Sequence, residues 1–137
     1  MVYYLSLGAN LGEREQTINA AKQMMEQQIG PITRCSSFYY SAPWGFESEH
    51  AFCNICCCVE TAMKPFEMLA ATQAIERALG RHHKSINGHY SDRTIDIDII
   101  QAYDGEQEIT LDSPTLTLPH PLWQQRDFVS VPLKEIK

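Results

Sequence analysis

The chain has 137 residues, of which 44% are hydrophobic and 20% charged, and its formal net charge is −6. This length is typical of one domain, and the composition excludes intrinsic disorder. The acidic balance argues against binding to nucleic acid, because nucleic-acid-binding domains carry a basic excess. No apolar run approaches the roughly 20 residues of a membrane span, and the N-terminus lacks the basic region of a signal peptide. We expect a single domain over residues 1–137, cytoplasmic and monomeric, with no nucleic-acid or membrane partner.

The first half of the chain predicts three strands and one helix. Residues 2–7 form a short apolar run that indicates a strand, followed by a tight turn at residues 8–12. Apolar residues at helical spacing predict a helix from residue 13 to about residue 28, ended by a Gly-Pro pair. β-branched and aromatic residues indicate a second strand at residues 32–40, and residues 51–61 are apolar enough for a buried third strand.

The second half predicts a helix, a strand and a C-terminal addition. Pro65 suits a first helical turn and Gly80 a C-terminal stop, so a helix is expected from Pro65 to about residue 79, with Phe66 and Ile75 among its inward residues. Residues 94–100 alternate strictly between apolar and polar, as a strand does, and Asp104-Gly105 is a hairpin signal. A short stretch around residues 123–126 completes the chain.

The order of these elements is β-α-β-β-α-β. It predicts an α+β fold of the ferredoxin-like type, in which an antiparallel sheet carries both helices on one face. The same topology occurs in RNA-recognition motifs, but the third strand lacks their aromatic pattern and the net charge has the wrong sign. RNA binding is therefore disfavoured.

Four of the five cysteines lie within six positions, and Cys53 and Cys56 have C-x-x-C spacing. This spacing raises the alternative of a thiol metal carrier or redox site. The motif lies inside an apolar run, however, and not at a strand-to-helix turn where a thiolate would be stabilised. We therefore interpret the cysteines as reduced core residues.

A cationic segment stands directly before a pair of carboxylates. Residues 81–93 contain three cations, one acid and three histidines, although the chain as a whole is acidic. Asp96 and Asp98 follow, and residues two apart on a strand share a face. Mg²⁺ is bound through one or two carboxylates together with phosphate oxygens, and cationic side chains bind phosphate. The pattern predicts a Mg²⁺-dependent phosphoryl-transfer or phosphate-binding site, with a solvated strand face as the alternative.

Phe52 and Asn54 share one face of the third strand. A buried Asn needs hydrogen-bond partners, and its amide can bond the donor and acceptor edge of a heterocycle. A core position is the simpler interpretation of Phe52.

Several short motifs occur in the order in which one family carries them. They are Ser36-Ser37-Phe38-Tyr39, Phe52-Cys53-Asn54, Ile75-Glu76, Gly80-Arg81, the segment 93–99 and Leu118-Pro119-His120. With the opening segment 7–12 they extend over nearly the whole chain. The chain resembles the 6-hydroxymethyl-7,8-dihydropterin pyrophosphokinase family, whose most specific element, R-x-x-D-[hydrophobic]-D, is intact at residues 93–98.

The resemblance implies that pyrophosphate passes from ATP to the hydroxymethyl oxygen of a reduced pterin and that AMP is released, a step of folate biosynthesis. It implies that Asp96 and Asp98 hold two Mg²⁺ ions and that these carboxylates, with Arg81 and Arg93, are the catalytic residues. Arg81 would lie on a loop that closes over the site and excludes water.

The resemblance also assigns binding residues. Those matched to ATP are Gln73, Glu76, Arg81, His83, Lys84, Arg93, Ile99, His120 and Arg126. Those matched to the pterin are Ser41, Ala42, Trp44, Phe52, Asn54, Asp96 and Phe128. In this set Phe52 and Phe128 would sandwich the pterin, and Asn54 would read its edge.

Three residues depart from the family pattern in a way that bears on activity, and two of them, Ser91 and Asp92, stand where members usually have Gly and often Pro. Asp92 adds a negative charge beside the phosphate-binding Arg93, and His83 stands where many members carry an arginine. These departures leave open a second interpretation, a catalytically weakened paralogue that binds pterin and nucleotide.

Overall fold

The computed structural model describes residues 1–9, 13–41, 52–81 and 95–137, and of Arg81 only the backbone. The sheet strands are β1 (Val2–Ala9), β2 (Ile32–Cys35), β3 (Tyr39–Ser41), β4 (Phe52–Glu60), β5 (Asp96–Asp104) and β6 (Gln107–Glu108). A separate hairpin pairs β7 (Leu111–Asp112) with β8 (Thr117–Leu118). The α-helices are α1 (Arg14–Gln28), α2 (Pro65–Glu76) and α3 (Asp127–Ile136).

The main sheet has the strand order β2-β4-β1-β5-β6, and β3 also pairs with β4. Each of these pairings is antiparallel. Strand β1 therefore lies between β4 and β5, which is the arrangement of a ferredoxin-like sheet. The predicted α+β fold is confirmed, and so is the hairpin at Asp104-Gly105, where Gly105 has a φ of 62°.

The two faces of the sheet belong to different cores. Alternate residues of β1 and β4, such as Leu5 and Ile55, join Ile18 of α1 and Met68 of α2 in the larger core. The intervening residues face a smaller core beneath α3. The C-terminal addition is therefore a helix that covers part of the second sheet face, whereas the sequence predicted only a short stretch there.

Strand β1 is longer than predicted, because Gly8 lies within the strand and not in a turn. A Cβ atom on Gly8 would lie 2.4 Å from Nδ2 of Asn54. Glycine at this position therefore permits a side chain of β4 to pass close over the backbone of β1.

The predicted second strand is two strands, because Ser36 interrupts the pairing. The backbone N–H of Cys56 donates to Oγ of Ser36, at 2.9 Å. A side-chain oxygen here takes the place of a main-chain acceptor, which ends the regular ladder between β2 and β4.

The inward face predicted for helix α2 is confirmed at Ile75 and wrong at Phe66. Phe66 is 51% exposed, whereas Met68, Thr72 and Ile75 are buried at helical spacing. The α-helix ends at Glu76, and the chain continues in a wider π-type turn over Arg77–Arg81 in which Gly80 has a φ of 111°. At the predicted stop, Gly80, the backbone thus leaves the helical conformation, one residue before this turn ends. None of the helices in the described ranges is long and apolar enough to cross a membrane.

The positions of Cys53 and Cys56 contradict the alternative of a thiol metal carrier or redox site formed by these two residues. Cys53 belongs to the larger core and Cys56 to the core beneath α3, so their thiols point to opposite faces of β4. The C-x-x-C spacing of these two residues therefore does not chelate one ion. The expectation that the cysteines are core residues is confirmed for the four of β4 and is wrong for Cys35, which is exposed at the end of β2.

Candidate active site

Three strands bring Asn54 and the two predicted metal ligands onto one face of the sheet. Gly8 on β1 pairs with Asn54 on β4 and with Asp96 on β5. The next row on the same face consists of Cys56, Ser6 and Asp98. The amide predicted to read a ring and the carboxylates predicted to hold a metal are therefore on one face of the sheet, the face that α3 covers in part.

The side chain of Asn54 lies over Gly8 and is only 5% exposed. Within the residues that the structure describes, its Oδ1 has no hydrogen-bond partner. A buried amide oxygen without a partner carries an energetic cost of about 1–3 kcal/mol. The position is therefore one where a bound hydrogen-bond donor would be favourable.

Asp96 and Asp98 are half-buried and alternate with the buried Ile97, as the strand pattern predicted. The backbone N–H of Ile97 donates to Oε2 of Glu76 at 2.7 Å. Glu76 is only 7% exposed, at the end of α2. Its carboxylate therefore fixes the strand at the position between the two aspartates, an arrangement that the sequence did not predict.

A cleft of about 280 Å³ lies beside this strand. Asp98, Ile99 and His120 line it, together with Leu69 of α2 and the segment 113–117. Its volume is close to the lower end of ligand pockets, which is about 300 Å³. The structure thus brings Ile99 and His120 together with Asp98, whereas the places of Leu69 and the hairpin segment in the cleft were not predicted from the sequence.

His120 is held on both sides by the backbone. The backbone N–H of His120 donates to the carbonyl of Ile100 at 2.8 Å. The backbone N–H of Leu122 donates to the ring Nδ1 of His120 at 3.3 Å. Burial and the positive charge of Arg126 lower the pKa of His120, while Asp96 acts in the opposite direction. The imidazole is therefore neutral at pH 7, and with Nδ1 accepting, Nε2 carries the proton.

The two aromatic residues predicted to sandwich the pterin lie on different elements, Phe52 on β4 and Phe128 on α3. Phe52 pairs with Ser41 of β3, and Phe128 lies in the first turn of α3. The guanidinium of Arg126 is 5.9 Å from the ring centre of Phe128.

Gln73, which the resemblance matches to ATP, is exposed on α2.

The remaining predicted residues belong to other parts of the chain. Arg81 ends the π-type turn after α2. Ala42, Trp44, His83, Lys84 and Arg93 lie outside the described residues.

A comparison with protein families decides the relationship. The model of the family described as 7,8-dihydro-6-hydroxymethylpterin-pyrophosphokinase (HPPK) matches residues 4–137. The chain belongs to the HPPK family.

Two bacterial relatives show how closely the chain resembles HPPK proteins. The 2-amino-4-hydroxy-6-hydroxymethyldihydropteridine pyrophosphokinase of Porphyromonas gingivalis is 47% identical over 137 residues, which is 98% of this chain and 90% of that protein. The Bacillus subtilis protein of the same name is 35% identical over 136 residues, covering 98% of this chain and 77% of that protein.

A crystal structure of a Plasmodium falciparum HPPK-DHPS triple mutant aligns with a TM-score of 0.70 at 16% identity. The alignment covers 98% of this chain and 40% of that one. At this identity the likeness shows the fold alone, and it agrees with the ferredoxin-like sheet described above.

Proposed function

We propose that this HPPK-family chain transfers pyrophosphate from ATP to the hydroxymethyl oxygen of 6-hydroxymethyl-7,8-dihydropterin and releases AMP. The observation that carries the proposal is the row of Asn54, Gly8 and Asp96 across three strands. Asn54 and Asp96 are two strand spacings apart, roughly 10 Å. A ligand that bonds the amide with one end can therefore present its other end to the carboxylates.

The pterin would be recognised by its edge and its faces. The unpartnered Oδ1 of Asn54 accepts from a ring N–H or amino group, which a pterin provides and a purely apolar ring does not. Phe52 and Phe128 supply the aromatic surfaces on either side. We propose that Ser41, Ala42 and Trp44 add backbone contacts to the ring.

The carboxylate pair fits Mg²⁺. Asp96 and Asp98 present oxygen ligands on one strand face, and the described residues contain no group of three or more His, Cys, Asp or Glu side chains that could hold a metal. Two carboxylates completed by phosphate and water suit Mg²⁺ better than an all-protein cage does. We propose two ions here, which would neutralise charge on the ATP phosphates when bound.

The nucleotide would occupy the cleft beside β5. Leu69 and Ile99 offer apolar surface, and the neutral His120 can donate from Nε2 to an oxygen of the nucleotide. Arg126 is a cation near the same histidine. We propose that Gln73, Arg81, His83, Lys84 and Arg93 complete the ATP site and that Glu76 acts on it through β5.

In this arrangement the residues of the chain act mainly by positioning the two reactants, the pterin and ATP. The hydroxymethyl oxygen attacks the β-phosphorus of ATP and loses its proton to solvent, and the bond from that phosphorus to the α–β bridging oxygen breaks, so that AMP leaves. Asn54 and the two aromatic rings fix the attacking group, while the cleft fixes the nucleotide. Holding both reactants in line accounts for much of the acceleration expected of a phosphoryl-transfer site.

Incubation of the protein with ATP, Mg²⁺ and 6-hydroxymethyl-7,8-dihydropterin is expected to yield AMP and pterin pyrophosphate in equal amounts. Anion-exchange chromatography of the nucleotides would measure this directly. Formation of ADP would contradict the proposal. Pterin binding without nucleotide turnover would instead support the weakened paralogue.

Gly8→Ala is expected to weaken pterin binding about 10-fold, because the new Cβ displaces the Asn54 amide. Asn54→Ala should weaken binding by a similar factor, since it removes the same hydrogen bond. The double variant should then bind no more weakly than either single variant, which titration of pterin fluorescence can establish. Additive losses would show that Gly8 acts by another route.

A further inference from the structure

Cys35 and Cys57 face each other across the edge of the sheet. They are paired residues of β2 and β4, and the Sγ of Cys57 donates to the Sγ of Cys35 at 3.6 Å. The next pair is joined by a main-chain bond from Ser36 N–H to the carbonyl of Cys56, at 2.9 Å. Because the two kinds of pair alternate, Cys35 and Cys57 form a non-hydrogen-bonded pair, in which Cα atoms are about 4.5 Å apart. That spacing lies within the range of disulfides.

The two thiols differ in environment. Cys35 is exposed, whereas Cys57 is fully buried. The hydrogen bond from Cys57 and the charge of Lys22 on α1 lower the pKa of Cys35 to about 6, against partial burial and the charge of Glu135 on α3. The interaction with Cys35 and burial raise the pKa of Cys57. The pair therefore combines an exposed cysteine, whose pKa is lowered, with a buried cysteine in contact with it, whose pKa is raised.

The other three cysteines lack these properties. Cys53, Cys56 and Cys58 are all buried. Burial raises the pKa of Cys53, and it raises that of Cys56 to about 12. Since the thiolate is the reactive form, oxidation should begin at Cys35 on β2 and not at a cysteine of β4.

We propose that Cys35 and Cys57 are a modification site, at which a hydroperoxide oxidises the pair to a reversible disulfide. The thiolate of Cys35 attacks one oxygen of hydrogen peroxide, the O–O bond breaks, and hydroxide leaves with a proton from solvent as water. Cys57 then attacks the sulfenic Sγ of Cys35, the S–O bond breaks, and hydroxide leaves with the Cys57 proton. Two thiols and one peroxide give one disulfide and two waters, so that two electrons pass from sulfur to oxygen.

The disulfide would tie β2 to β4 close to the proposed pterin residues. Cys35 is the last residue of β2, and β3 follows it and pairs with Phe52 and Asn54. A cross-link at this position should raise the midpoint temperature of unfolding by several degrees, because it restricts the unfolded chain. Dithiothreitol should reverse the change.

Peptide mapping by mass spectrometry after treatment with hydrogen peroxide tests the proposal. The wild-type protein should lose about 2 Da and yield one linked pair of peptides, containing Cys35 and Cys57. Cys58→Ser is the matched control on the opposite face of β4, and it should form the same link. Cys35→Ser should form no link.

Cys57→Ser should instead accumulate a sulfenic acid at Cys35, detected as an adduct with dimedone. The wild-type map alone decides the matter if this variant does not fold. Stepwise addition of oxygen to Cys35 without a link in the wild type, or a link between any other two cysteines, would overturn the proposal. The measurement follows sulfur alone, so its outcome is independent of the proposed pyrophosphokinase activity.

Discussion

Asp98→Ala is expected to lower kcat for AMP formation by at least about 10³-fold while leaving the fold intact. Asp98 lines the cleft beside β5 and shares a strand face with Asp96. Its removal would leave one carboxylate where two are proposed to bind Mg²⁺ and the ATP phosphates. The side chain is half-buried and lies outside both hydrophobic cores, so the loss of activity should not reflect unfolding.

Asp104→Ala is the matched control, because Asp104 is an exposed aspartate at the far end of the same strand. It should retain full activity. Calorimetric titration should also show weaker binding of Mg²⁺ to the Asp98→Ala protein in the presence of ATP, with circular dichroism unchanged. An active Asp98→Ala enzyme, or an equal loss in Asp104→Ala, would show that the metal assignment is wrong.

Features set by local sequence were predictable. The spacing of Ile18, Ala21 and Met25 gave the position and the buried face of α1, and all three are buried. The alternation after Ile95 likewise gave the two faces of β5. Each of these patterns depends only on the period of the element and on which side meets the core.

Features that depend on contacts between distant residues were not predictable. The break between β2 and β3 depends on Ser36 bonding to Cys56, 20 residues away. The length of β1 depends on the approach of Asn54 to Gly8. A serine or a glycine in a sequence does not indicate which distant residue it will contact. A single sequence therefore offers no local signal for either of these two contacts.

The candidate active site also combines features that local sequence predicts with features that depend on distant residues. That Asp96 and Asp98 share one face of β5 could be predicted from their spacing. The position of Asn54 in the same row as Asp96, in contrast, depends on β1 lying between β4 and β5. The wall of the cleft at residues 113–117 comes from a short hairpin outside the ferredoxin-like core. The Ser-Pro-Thr-Leu-Thr sequence there resembles an ordinary loop.

Glu76→Leu is expected to reduce both stability and turnover. The substitution removes the acceptor for the N–H of Ile97, which lies between the two aspartates. An unpartnered buried N–H costs about 1–3 kcal/mol, measurable by urea unfolding. With the strand no longer fixed at this point, Asp96 and Asp98 should be displaced, and kcat should fall by about 10–100-fold, as for residues that orient metal ligands.

Glu76→Gln separates positioning from direct contact with ATP. Glutamine keeps a side-chain oxygen that can accept from Ile97, but it has no charge. If Glu76 acts by fixing β5, this variant should keep most of the stability and kcat, with KM for ATP nearly unchanged. If the carboxylate instead binds the nucleotide directly, KM for ATP should change in Glu76→Gln while the free energy of unfolding stays near that of the wild type. The second result would overturn the positioning role, and it would return Glu76 to the nucleotide contact that the family resemblance implies.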